Sequence, residues 1–161
     1  PHVFAGEEAG SAADQQASWE QHKAAERAAK GQVDEGVLAG LTTGLPALTL
    51  AHKTSKKAAS VGFDWENSDQ VVKKVHEELA EVLEANAAGD QAHIEEELGD
   101  LLLAVSNLAR HLNVDPEQAL RKANQKFTKR FNKLEGVLEE SNENWADLSL
   151  EELEARWQSI K

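Results

Sequence analysis

Ile94, Leu98, Leu101, Val105, Leu108 and Leu112 recur at alternating steps of four and three. Only an α-helix gathers such a spacing onto one side; in a strand, alternate residues would leave for opposite faces. Val71, Val72, Val75, Leu79, Val82 and Leu83 form a second stripe of this kind. A third runs through Leu120, Ala123, Phe127, Phe131, Leu134 and Leu138. Consecutive helices with apolar seams bury them against one another, which makes a bundle. No segment alternates with the period of a strand, so the expected fold class is all-α.

The boundaries follow from capping chemistry. Residues 14–30 are rich in good helix formers but have a weak apolar face, with Trp19 as the expected anchor. Gly31, Gly36, Gly40 and Gly44 punctuate a stretch that reads as a linker. Residues 1–45 are therefore expected to be the tail of something preceding, a weak helix and a flexible linker, and 46–161 the main helical domain. Pro46 suits the first turn of a helix that stops at Gly62. Residues 62–68, GFDWENS, read as a loop with Phe63 and Trp65 turned inward. Ser68 or Asp69 is the expected cap of the next helix, which ends near Gly89-Asp90. Asp115 followed by Pro116 is an N-cap with proline at N1. SNENWADLS is a loop, and Ser149 with Glu152 is a capping box opening a last helix that carries Leu150, Leu153 and Trp157.

Two acidic pairs interrupt this apolar pattern. Glu78 and Glu81 stand three apart on one predicted helix, and Glu97 and Asp100 three apart on the next. Residues at i and i+3 share a helical face, where like charges cost roughly 0.2–0.5 kcal/mol per pair. Lys74 continues the first acidic stripe; Ala104, Asn107 and His111 continue the second. Both flank the seam, where bundles hold metals and ligands, and oxygen-rich acidic sites suit hard cations. Solvated surface acids are the competing reading, and Glu77, Glu84, Glu95 and Glu96 fit it. Lys126 and Arg130 lie four apart and could hold phosphate oxygens, or simply face water. Trp157 could stack on a base or pack in a core, and His93 alone signals nothing. Gly99, beside the second pair, marks either a close backbone approach or a tolerated substitution.

Bulk properties exclude several classes. Across 161 residues the formal net charge is −12, which argues against a nucleic-acid partner. No cysteine is present, so there is no disulfide, thiolate site or cysteine nucleophile. No apolar run approaches about 18 residues, so no membrane partner is expected. No leader is visible, and cytoplasm is the expected compartment. The chain starts at Pro1 and has no Met, as a fragment or processed product would. No glycine-rich phosphate loop with its lysine occurs.

Taken in order, GFDW (62–65), EELAE (77–81), EEELGDLL (95–102), NLARHL (107–112) and KANQKFTKRF (122–131) resemble the MazG family of nucleoside triphosphate pyrophosphohydrolases. PHVF at the start looks like the end of the first MazG domain of two-domain bacterial proteins, so the chain resembles their C-terminal domain. The resemblance implies an all-α pyrophosphatase fold in a homodimer, and metal-dependent hydrolysis of nucleoside triphosphates, ATP among them, to monophosphate and pyrophosphate with broad base tolerance. Carried over by position, Glu78, Glu81, Glu97 and Asp100 match metal ligands, for magnesium or alternatively manganese. Lys74, Glu77, His93, Lys126, Arg130 and Trp157 match nucleotide contacts. His93 departs from the family, whose members often carry lysine there.

A triphosphate brings about four negative charges to an acidic site, so metal must neutralise both partners. Glu81 or Glu78 would act as the base toward water, and Lys126 and Arg130 would stabilise the departing pyrophosphate. Two other readings stand beside this one. The first is a house-cleaning hydrolase selective for deoxy or non-standard triphosphates, or for phosphoribosyl-ATP. The second is a non-enzymatic helical dimerisation module with solvated acids.

Overall fold

The computed structural model describes residues 12–29 and 36–161. The chain divides into two units between Gly40 and Leu41. In the first, α1 spans Ala12–Ala29. Trp19 does not anchor it: the ring is 58% exposed and carries Lys23 Nζ 4.3 Å above its centroid. A helix with so weak an apolar stripe has nothing to press the indole against. The expected linker falls partly outside the described residues; Gly36–Gly40 form a turn closed by Ala39 N–H donating to Gly36 O at 2.9 Å.

The second unit holds five helices: α2 (Ala47–Ser60), α3 (Ser68–Ala88), α4 (Gln91–His111), α5 (Pro116–Glu140) and α6 (Leu150–Ser159). No strand occurs among the described residues, and the fold is all-α. Pro46 stands one position earlier than expected, at the N-cap of α2, where its carbonyl accepts the first helical bond from Leu50 N–H at 2.9 Å. The cap of α3 is Asn67, not Ser68 or Asp69: its extended backbone lets the side chain accept from Gln70 N–H at 3.1 Å. Asp115 caps α5 through Gln118 N–H, with Pro116 following it. Ser149 accepts from Glu152 N–H at 3.1 Å at the start of α6, completing the N-cap half of the capping box. A short 3₁₀ turn, Trp145–Asp147, sits within the expected loop, and Trp145 stacks on Phe131 at 5.2 Å.

The fully formed core is small. Leu134 and Leu138 of α5 close on Ile160, with Leu153 and Trp157 of α6 packed around them. Arg156 of α6 forks onto both oxygens of Glu143, fastening the end of α6 to the loop after α5. The tightest helix pair is α3 with α4, joined through the left-handed Gly89 (φ 72°) and the N-cap Asp90. So short a connection makes them antiparallel. Positive φ is the reason for glycine at this position.

The apolar stripes of α3 and α4 divide between two faces. Val71, Glu78 and Ala85 are buried along the line of α3 that meets α4. Val72, Leu79 and Leu83 lie about one residue further round each turn and are exposed. On α4, Ala104 is buried and Ile94, Leu101 and Leu108 are half-buried, while Leu98, Leu102, Val105 and Leu112 are exposed. Because the two helices run in opposite directions, an equal rotation of about 100° on each turns both exposed sets to the same side of the hairpin. The seam read from the sequence is thus partly an inner contact and partly a bare face. On α5, Leu120 and Phe127 are likewise exposed.

The GFDW loop also differs from expectation. Phe63 is 81% exposed and Trp65 is also exposed. Asp64 instead makes the loop's tie to the end of α4. Its Oδ1 accepts from Arg110 Nη2 at 2.5 Å, from Trp65 N–H at 2.8 Å, and lies 2.8 Å from His111 Nε2. The loop turns tightly here, with Asp64 N–H donating to Gly62 O at 3.1 Å, and both aromatic rings face outward. Desolvation works to raise the Asp64 pKa, but Arg110 and His111 outweigh it and hold the carboxyl at about 2, below its ordinary 3.8.

Two predictions follow. Leu138→Ala, at a site 2% exposed, lowers stability by about 2–5 kcal/mol in urea denaturation. Asp64 stabilises the fold above its unfolded pKa of 3.8, and that contribution vanishes as pH falls toward 2. Asp64→Asn should therefore lower the melting temperature at pH 7 and flatten its fall between pH 4 and 2.

Candidate metal centre

Glu78, Glu81 and Glu97 each offer one carboxylate oxygen, and these oxygens lie within 4.8 Å of one another. The tight Gly89-Asp90 connection sets the register that brings Glu81 opposite Glu97. Asp90 completes it by accepting from His93 N–H at 3.3 Å, so the first turn of α4 is fixed by its own cap.

Each acid has a different environment. Glu78 is only 6% exposed, yet one of its oxygens has a partner: Lys74 Nζ lies 2.8 Å from Oε1, while Oε2 is buried without one. The hydrogen bond from Lys74 to Glu78 raises the lysine pKa, ahead of the opposing desolvation. Lys74 also lies 3.5 Å from Glu77, which is exposed. Glu97 is arranged similarly: Oε1 is 3.0 Å from His93 Nε2, and Oε2 is buried and unpartnered. Glu81 hydrogen-bonds Glu97 and feels the charge of Glu78 and Glu97, which together push its pKa to about 7 from an ordinary 4.5. Carboxylates so close resist ionising together, which disfavours the charged form of Glu81.

The donor set fits a divalent cation. Buried, unpartnered carboxylate oxygens are costly, and a hard ion accepts several of them at once. Such an ion would also favour the ionised form of Glu81.

Asp100, one turn beyond Glu97, is exposed and stands outside the three-acid cluster. Asn107 and His111, further along its stripe, turn to other partners: Asn107 accepts from Arg110 and His111 meets Asp64. Lys126 is exposed on α5. Arg130 lies under Trp157, its guanidinium carbon 4.5 Å from the ring centroid, with Nε and Nη2 buried and unpartnered. Phe127 packs against the same indole at 5.4 Å. Trp157 therefore both packs on α5 and covers an arginine. Arg130 and Trp157 are brought together; α5 itself packs on α2, α4 and α6. The Asp64 clamp was missed in sequence because nothing in GFDW announces an ion pair to a helix C-terminus. Arg110 and His111 in the last turn of α4 were the available signal.

A family model, the MazG nucleotide pyrophosphohydrolase domain, matches residues 66–135. The whole chain is 46% identical over 163 aligned residues to an Escherichia coli K12 protein named nucleoside triphosphate pyrophosphohydrolase, covering 61% of that protein. It is 42% identical over 161 residues to a Thermotoga maritima protein named nucleoside triphosphate pyrophosphohydrolase/pyrophosphatase MazG, covering 59% of it. A Bacillus subtilis protein, the uncharacterised YabN, is 38% identical over 162 residues and covered to 32%. The chain thus spans about three fifths of the length of the first two relatives.

The raised Glu81 pKa has a testable sign. Glu81 favours folding fully below its unfolded value of 4.5, and this contribution is lost as pH rises through about 7. Metal-free protein should therefore show a melting temperature that declines between pH 4.5 and 7.5, and Glu81→Gln should flatten the decline.

All three converging carboxylates lie on the hairpin that builds the site and within residues 66–135, the segment of this chain that matches the MazG nucleotide pyrophosphohydrolase domain.

Proposed function

We propose that this chain hydrolyses nucleoside triphosphates to the monophosphate and pyrophosphate, with broad base tolerance. The convergence of Glu78, Glu81 and Glu97, with buried oxygens that lack partners, is the observation that carries this reading. The names of the E. coli and T. maritima relatives support the reaction class. Glu78, Glu81 and Glu97, joined by Asp100 at the mouth, hold magnesium or alternatively manganese. Bound divalent metal supplies charge neutralisation between acids and triphosphate and polarises the reacting phosphoryl group.

The chain's own groups do the rest. Glu81, with a pKa near neutrality before metal binds, or the adjacent Glu78, takes a proton from water. The water oxygen bonds to the α-phosphorus as the bond to the bridging oxygen breaks, and pyrophosphate leaves. Lys126 and Arg130 donate to the departing oxygens, and the unpartnered Arg130 nitrogens are suited to that task. Lys74, Glu77, His93 and Trp157 contact the nucleotide.

The assembly is a homodimer. The bare face of Val72, Leu79, Leu83, Leu98, Leu102 and Val105 is a contiguous apolar surface, and covering it with a second copy removes it from water. Lys74 and Glu81 on α3, and His93 and Asp100 on α4, fall on the other side of the hairpin by helical spacing. Two hairpins packed back to back therefore leave both acidic mouths open. No helix among the described residues is long and apolar enough to cross a membrane, in keeping with action on free nucleotides in the cytoplasm.

Product analysis with ATP and magnesium tests the reaction. AMP and pyrophosphate are expected; ADP and phosphate would refute it. Glu81→Gln should lower turnover by about 10²–10⁴-fold while the nucleotide still raises the melting temperature. Leu102→Glu should shift the sedimentation coefficient from dimer toward monomer.

A further inference from the structure

Trp157 owes its place over Arg130 to a short helix that is fastened on two sides. At 10 residues, about 15 Å, α6 is too short to stay helical by itself. On one side, Leu153 and Trp157, four apart, pack toward α5, where the indole meets Phe127 at 5.4 Å and covers Arg130 at 4.5 Å. Arg156 lies about 100° round the helix from Trp157. It grips Glu143 as a bidentate fork, with Nε donating to Oε1 at 3.0 Å and Nη2 to Oε2. Its Nη1 donates to Glu152 O at 3.0 Å, so every guanidinium nitrogen is engaged.

The other end of the fork is held just as firmly. After α5, Asn142 takes a left-handed φ of 52°, and its N–H donates to Glu139 O at 3.1 Å. Glu143 N–H donates to Leu138 O at 2.9 Å, which completes the paired bonds of a Schellman end. Leu138 is a core residue, so the backbone of Glu143 is locked to α5, the helix that carries Arg130. Apolar packing alone is non-directional. The fork adds direction, and it fixes how far α6 is rotated about its own axis against α5.

We propose that Glu143 and Arg156 are positioning residues for nucleotide binding, their fork setting Trp157 over Arg130 without either residue touching substrate. The inference rests on the reading above, in which Trp157 and Arg130 contact the nucleotide, and adds to it what holds that contact in place. The acids stand on α3 and α4, and Arg130 keeps its place on α5, so the bond-breaking step does not depend on the fork. Losing a contact made equally before and during the reaction raises KM and spares kcat. A fork that only fastens the end of α6 would lower the melting temperature and leave KM unchanged.

Steady-state pyrophosphate release with ATP and magnesium separates the two. Glu143→Gln, Arg156→Gln and the double variant are assayed at a temperature where the melting curve of each shows it folded. Each single variant should raise KM by at least about fivefold, with kcat within about twofold of wild type. The double variant should match the singles, because two residues acting as one unit can be lost only once. An unchanged KM, a fall in kcat as large as the rise in KM, or effects on KM that multiply in the double variant overturn the positioning role and leave the hydrolase reading standing. A wild type that releases no pyrophosphate overturns both.

Discussion

Like-charge crowding between α3 and α4 is the constraint on which the structure turns. Glu78, Glu81 and Glu97 are held closer than three carboxylates would choose, and packing of the hairpin holds them there. Their proximity raises the pKa of Glu81. Lys74 offsets part of the crowded charge at Glu78, and His93 offers a donor at Glu97. What remains uncompensated is two buried oxygens, which is a demand for positive charge at one defined place. A fold that stores this cost is arranged to gain from a cation.

The same hairpin separates two chemistries. Antiparallel helices turn corresponding positions to a common side, so the exposed leucines and valines collect on one face and the acids open toward the other. An isolated copy leaves the first face wet, and the formed core at Leu134, Leu138 and Ile160 lies elsewhere, between α5 and α6. The helices that carry the metal centre thus depend less on that core than on each other, and their rigidity would gain most from a partner on the bare side. At the far end of α4, the ion pairs of Asp64 with Arg110 and His111 fasten the GFDW loop to the hairpin.

Much of this was readable in the residues, for identifiable reasons. Helix class and number came from periodicity, and the starts at Asp115-Pro116 and Ser149 from side chains whose oxygens can reach a free N–H. The acidic pairs were visible because i and i+3 spacing is local. Errors arose where the answer depended on something distant. Phe63 and Trp65 are apolar, yet both rings face outward from a loop tied to α4 through Asp64. Asn67 rather than Ser68 caps α3 because its backbone is extended and its side chain reaches Gln70 N–H, whereas Ser68 is already helical. Leu98, Val105 and Leu112 match a bundle seam, and periodicity cannot say whether the partner is another helix of this chain or none.

The sequence by itself determined that the chain is helical, where most helices begin, and that Glu78 and Glu81 share one face and Glu97 and Asp100 another, because these are matters of spacing along a single helix. Only the tertiary structure decided that Glu78, Glu81 and Glu97 meet while Asp100 stays outside, that two of their oxygens are buried without partners, and that Arg130 lies beneath Trp157. Those outcomes depend on the register and rotation of one helix against another, and that information is carried by packing across the hairpin rather than by any segment alone.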